Sequence, residues 1–352
     1  MVRNAIFLIA VLFAWVPLAY FTGRSDGVLP LMQFKDIAVT AFTAFIVSLY
    51  ITNESKRDRF VRLAIYCVGI TSAIKALAFV YAAATGTSVL DIIDLIGQVF
   101  DQKLVTYDIG GIGGRFQFNS DSLVPACLYA LLGRKGRFGI PDRLAVPLTI
   151  LLVFSAVAAF SRFIWLYSAI AVALGVISTR PDRTKFLYFV LVGLIVAYFW
   201  DELIFLYDLR TSDIQLDFSD GLRDEQRGPL YEFIAKAPIF GHGLGTFTEE
   251  IIREPEYKYS YELQLVALVG QIGAVGCSVI AIAVAYYYRV ILTFKGRFLD
   301  VFSVATLLAI WFATGFQNPW LMSSSAGIAF GLLYSLALPF KRSSAIETFR
   351  AG

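Results

Sequence analysis

The sequence predicts an all-α membrane protein with about ten transmembrane helices, and three observations carry that expectation. Hydrophobic residues make up 58% of the 352 residues and charged residues only 16%, whereas a soluble chain is roughly one quarter charged. Mean hydropathy is +0.68. Apolar stretches of about 17–25 residues recur, the length that spans roughly 30 Å of hydrocarbon. The alternating pattern of a membrane barrel is absent, so helices must satisfy the backbone in lipid.

Read in order, the spans fall at approximately 5–21, 37–51, 62–84, 121–132, 144–160, 163–178, 186–200, 259–286, 299–315 and 322–339. The joins at 52–61, 133–143, 179–185 and 287–298 are short and basic, and Lys341, Arg342 and Arg350 close the chain. Ten crossings put all of these on one face, which the excess of Lys and Arg makes cytoplasmic. Two larger loops, 85–120 and 201–258, fall on the opposite face. The second holds 13 acidic against 6 basic residues, in agreement with that sidedness. The chain is expected to form one polytopic domain over 1–352, with its first apolar run retained because no small-residue cleavage site follows it.

Several classes are excluded early. The formal charge of +3 says little about partners, and no nucleic acid is expected among them. Cys67, Cys127 and Cys277 all lie inside expected spans, and His242 is the sole histidine, so neither a disulfide framework nor a Cys/His metal set is expected. Gly241-His242-Gly243-Leu244-Gly245 is no nucleotide loop, because no strand precedes it and no βαβ unit surrounds it. His242 itself reads as a structural turn residue.

The two large loops have order of their own. From Val89 to Phe100, apolar Val89, Ile92, Ile93, Ile96, Val99 and Phe100 recur at helical spacing opposite Asp91, Asp94 and Gln98, as in an amphipathic helix lying in the membrane interface. In the second loop Leu230, Phe233, Ile234 and Ala237 repeat at i, i+3, i+4, i+7, with Pro229 placed at the helix start and Pro238 and Gly241 at its end. A further helix is expected to open at Tyr261-Glu262. Gly270, Gly273 and Gly276 beyond it read as close-packing positions. Lys75 sits well inside the third span, where a cation is costly and faces protein or water; a substrate-phosphate role and simple snorkelling both remain open. Arg227 faces a similar choice between a ligand and Asp224 or Glu225 on its own helix.

A loop that only joined two spans would need none of this, and its residues resemble a known family. Gly221-Leu222-Arg223, a short helix, Pro238-Ile239-Phe240-Gly241-His242-Gly243-Leu244-Gly245, and then Gly273-Ala274-Val275-Gly276 look like the core of bacterial O-antigen ligases and polymerases. Arg115 in Gly114-Arg115-Phe116 is similar to that family's upstream arginine segment, and Ser161-Arg162 to its Ser-Arg element. The likeness covers roughly residues 110–280.

The resemblance implies a C-type glycosyltransferase architecture in the bacterial inner membrane, with both large loops periplasmic. Such proteins move a glycan from a polyprenyl-diphosphate carrier to an acceptor on the outer leaflet, without metal or other cofactor. The implied partners are that lipid-linked oligosaccharide donor, a glycan or lipid acceptor, a chain-length regulator and the bilayer. A departing diphosphate gathers negative charge, and arginine grips it in a bidentate fork. Arg115, Arg162, Arg223 and Arg227, with Lys75, are therefore the expected diphosphate and substrate ligands. The family often carries a histidine eleven residues before the Gly-x-x-Gly step; here that position is Glu262, which the resemblance casts as the base that takes the acceptor hydroxyl's proton. The missing histidine favours a polymerase over a ligase. A transporter or flippase of lipid-linked glycan and a structural subunit of an envelope complex are the competing readings.

Overall fold

Apolar side chains recur around whole helices rather than along one stripe, and the fold that results is a bundle. The computed structural model describes residues 2–23, 25–100, 116–134, 138–178, 204, 213–252, 254–289, 298–316 and 318–338. Among the described residues there is no β-sheet. Helices α1 (Val2–Phe13) and α2 (Trp15–Phe21) break at Ala14. Then come α3 (Leu29–Tyr50), α4 (Glu54–Thr85), α5 (Val89–Phe100), a 3-10 turn at Asn119–Leu123 and α6 (Val124–Arg134). α7 (Asp142–Ala158), α8 (Arg162–Ile177), α9 (Asp213–Lys236) and α10 (Gln264–Tyr287) follow. The last are α11 (Phe298–Ala313), a 3-10 turn at Thr314–Phe316, and α12 (Ser324–Ala337).

Helices occupy nine of the ten expected spans; the seventh, 186–200, lies outside the described residues. By length and composition, the described residues contain four stretches able to cross a membrane: Leu29–Tyr50, Glu54–Thr85, Gln264–Tyr287 and Phe298–Phe316. Ile9–Phe21, Arg162–Ile177 and Ser324–Ala337 are shorter apolar helices. The chain is thus a helical membrane protein. α5 forms over Val89–Phe100 as its periodicity predicts.

Local signals set the ends. Asn53 accepts from the Lys56 N–H at the start of α4, and Gly86 closes that helix in a left-handed conformation, φ 69°. Ser323 caps α12 through the Ala326 N–H. The core joins α4, α6, α7, α8, α11 and α12; α6 packs extensively on α8, and α3 packs extensively on α12. Gly133 of α6 and Gly175 of α8 make that first contact close: a Cβ on Gly133 would lie 3.2 Å from the Gly175 carbonyl.

Three local expectations are corrected. Pro229 is not at a helix start but inside α9, which begins sixteen residues earlier at Asp213. Gly228 before it has no Cβ to meet the proline ring, which removes part of the usual penalty. The helix after the glycine turn opens at Gln264, not at Tyr261-Glu262. Gly273 is a break rather than a packing position: its φ of 63° and ψ of −175° interrupt α10, a conformation open almost only to glycine.

Candidate functional site

The break in α10 explains the glycine-rich run. With the helical ladder interrupted around Gly273, the backbone groups beside it need other partners, and the turn after α9 supplies them. His242 N–H donates to Gly270 O at 3.0 Å and Gly243 N–H to Gln271 O at 2.8 Å. In return Ala274 N–H donates to Pro238 O at 2.9 Å and Val275 N–H to Ile239 O at 3.0 Å. A Cβ on Gly241 would stand 2.3 Å from Gln271 O, and one on Gly243 2.2 Å from the Ala19 nitrogen. These glycines therefore fasten α9, α10 and α2 together.

Buried polar groups complete the fastening. Gln33 of α3 and Gln271 of α10 are both buried; Gln33 Nε2 donates to Gln271 Oε1 at 2.6 Å, and Gln33 Oε1 accepts from the Gly245 N–H. Gln271 Nε2 donates to Thr246 O at 2.9 Å. His242 is buried, stacked on Phe233 with ring centroids 4.3 Å apart, and its Nε2 lies 2.8 Å from Phe233 O. Its place in the structure is that of a turn residue, as its position between glycines predicts.

On this frame α9 presents one face to α10. Arg223, Gln226, Leu230 and Phe233 recur at spacings of three and four, and the last three are buried. Phe233 fills the notch left by Gly270, and Leu230 packs with Tyr261, Leu263 and Ala267. One turn beyond the apolar contacts, Arg223 Nε lies 3.2 Å from Glu262 Oε2. These side chains are 19% and 17% exposed, so the pair is shielded yet reachable. Gln226 sits between them and the helix start: its Oε1 accepts from the Glu262 N–H at 3.1 Å and the Leu263 N–H at 3.4 Å. These are backbone donors at the entry to α10 that have no intrahelical acceptor. Sequence reasoning missed Gln226, although its position one turn after Arg223 on the same stripe was a usable signal.

Arg162 belongs to the next hairpin. Ser161 caps α8 through the Ile164 N–H at 3.5 Å, and Phe160 before it holds a φ of 45°, so Arg162 leaves a sharp, strained turn. Phe163 meets the edge of Trp320 at 6.2 Å between centroids. The neighbouring Leu321 N–H donates to Gln264 Oε1 at 2.9 Å, two residues from Glu262. A continuous set of contacts therefore links the Arg162 hairpin to the Glu262 junction.

The remaining candidates separate. Arg227 is exposed and pairs with Asp224 at 2.7 Å. Lys75 is wholly buried and ion-paired with Asp121, a residue the sequence reading passed over. Asp121 also accepts from Ser155 Oγ at 3.0 Å and the Phe118 N–H at 2.9 Å. The Lys75 ammonium lies 5.7 Å from the Phe116 ring centre and 5.6 Å from that of Phe118. Phe116 N–H in turn donates to Ala158 O at 3.3 Å, which ties this segment to the end of α7 beside the Arg162 turn. Arg115 lies outside the described residues.

With this geometry in place, the comparison with known families is informative. Residues 147–271 match the family described as O-Antigen ligase. This segment, about a third of the chain, is similar to that family. It contains Arg162 at the start of α8 and Arg223, Gln226 and Glu262 at the α9–α10 junction. No curated protein and no solved structure matches the chain.

Proposed function

We propose that the protein is a periplasm-facing glycosyltransferase of the inner membrane that polymerises oligosaccharide units carried on polyprenyl diphosphate. The observation that carries this reading is the Arg223–Glu262 pair, a cation and a carboxylate 3.2 Å apart at a half-shielded junction inside the family-matched segment. Glu262 would accept the proton of the acceptor hydroxyl as its oxygen attacks the anomeric carbon. The bond from that carbon to the diphosphate oxygen breaks, inverting the centre, and the diphosphate departs with its electron pair. Arg223 and Arg162, with Arg115 and Arg227, would stabilise the charge on that leaving group. In this reading Lys75 does not touch substrate; with Asp121 it holds the segment that follows Arg115.

The family description favours a second reading, an O-antigen ligase that moves a finished glycan to a lipid acceptor. Both use the same donor chemistry, and Glu262→Gln distinguishes them in cells. The polymerase reading expects short lipid-linked units on the outer leaflet and no long chains in surface-glycan gels. Long chains left on the carrier, with none on the final lipid, would assign the protein to the ligases. Normal long-chain surface glycan in that variant would remove Glu262 as the base. Units trapped on the cytoplasmic side would point to a flippase instead.

A further inference from the structure

The turn that follows α9 has a property its place in a polar loop does not require. Ile239 and Phe240 are 59% and 60% exposed, although the carbonyls around them are all occupied. Ala237 O accepts from the Gly241 N–H, Pro238 O from Ala274, Ile239 O from Val275, and Phe240 O from Trp15 Nε1 at 2.6 Å. With these carbonyls satisfied within the protein, the turn leaves no bare acceptor beside its outward apolar side chains, one of the conditions for non-helical backbone at membrane depth. Water would demand neither.

The length of α10 fixes the depth. From Ala274 to Tyr287 the helix rises only about 21 Å at 1.5 Å per residue, short of the roughly 30 Å of a hydrocarbon core. Tyr286, Tyr287 and Arg289, whose guanidinium lies 4.1 Å from the Tyr286 ring centre, mark one interface. The opposite boundary must then lie on the N-terminal side of Gly273, roughly two turns above it. The turn pairs with Gly270–Val275, below that boundary. Val275 and Ile282 of α10 are exposed apolar residues, and Ser278 folds its hydroxyl back onto Ala274 O at 2.8 Å, as a hydroxyl facing lipid does. Lys236, one turn before Phe240, reaches back towards Glu232 at 3.9 Å and stays at the headgroup level by its long stem.

We infer that residues 238–240 form a re-entrant wedge in the outer leaflet, with Ile239 and Phe240 in contact with lipid acyl chains. The second loop is thereby split: α9 stands in water with Arg223, and its C-terminal turn is anchored in hydrocarbon. The inference rests on α10 crossing the bilayer and not on the reaction performed at Glu262.

The test is collision accessibility of a nitroxide. Single cysteines replace Phe240, Ile239 or, as the aqueous reference, exposed Glu225, in full-length protein with Cys67, Cys127 and Cys277 changed to Ser. A variant retaining only Cys67, which is exposed on α4, gives the hydrocarbon reference. All are reconstituted in vesicles of phosphatidylethanolamine and phosphatidylglycerol. Positions 239 and 240 are expected to match the Cys67 reference, with a ratio of oxygen to nickel-chelate collisions several-fold above that at 225. A ratio equal to that at 225 overturns the wedge. Low collision with both reagents also overturns it, by showing the turn buried against protein, such as a second copy of the chain. Should the cysteine-free background fail to fold, Phe240→Trp in the native background is measured with brominated lipids. Quenching strongest for bromines in the outer half of the acyl chain supports the inference, and no added quenching refutes it.

Discussion

Among the described residues two shielded ion pairs bridge segments far apart in the chain, Lys75–Asp121 and Arg223–Glu262, and they are built for opposite ends. Lys75–Asp121 is sealed, with side chains 0% and 1% exposed, and Asp121 has further donors from Ser155 and the Phe118 backbone. Arg223–Glu262 is left partly open at 19% and 17%, and Gln226 clamps the backbone of Glu262. A sealed pair cannot exchange its partner for a substrate without leaving a bare charge in the core, which costs several kcal/mol. An open pair can. Exposure, more than charge, separates a structural bolt from a site.

The strongest way to break this comparison is at the sealed pair. Asp121→Ala should strand the Lys75 charge and cost about 3–5 kcal/mol, read as loss of folded protein in detergent. The double variant Lys75→Met, Asp121→Leu should recover most of the folded yield, since an apolar pair of similar size is often neutral. Restored glycan synthesis in that double variant would confirm that Lys75 positions and does not bind. At the open pair the signature reverses. Arg223→Lys keeps the charge but loses the planar fork, so transfer should slow about tenfold or more, equivalent to roughly 1.4 kcal/mol in the barrier, while thermal unfolding stays near that of the parent. Gln226→Ala removes the acceptor for two N–H groups and should cost about 1 kcal/mol of stability, with a slower rate because Glu262 is no longer held. Arg227→Ala sharpens the contrast from below. Its exposed pair with Asp224 is worth no more than about 0.5 kcal/mol, and a change in rate without a change in melting temperature would place Arg227 on the substrate.

How far the sequence reached differs between the two regions for the same physical reasons. Around Glu262 local signals reached part of the way: the Leu230, Phe233, Ile234 and Ala237 repeat, Pro238 after the last helical residue, and glycines in a row each act over one or two turns. The family resemblance singled out Arg223 and Glu262 in separate roles, ligand and base, and their meeting at 3.2 Å is a finding of the fold. The pairing of Lys75 with Asp121 spans 46 residues of chain and depends on how α4 meets the start of α6, which no local pattern encodes. Gly273 was misread because small residues three apart look alike whether helices pack on them or break at them; the answer lies in Ile239 and Gly241, which press against it. α9 was read too short because Pro229 is a start signal in general and a tolerated interior residue only when, as here, glycine precedes it.

The central claim is that the carboxylate of Glu262 performs chemistry while its surroundings provide the scaffold. It is tested most directly by measuring transfer from a polyprenyl-diphosphate-linked oligosaccharide and thermal unfolding on the same vesicle-reconstituted Glu262→Gln protein. The account predicts a rate lower by about 10²–10⁴-fold, the usual contribution of a positioned base, with the unfolding midpoint within a few degrees of the parent. A rate close to the parent's, or a loss of rate matched by a collapse in stability, would contradict it.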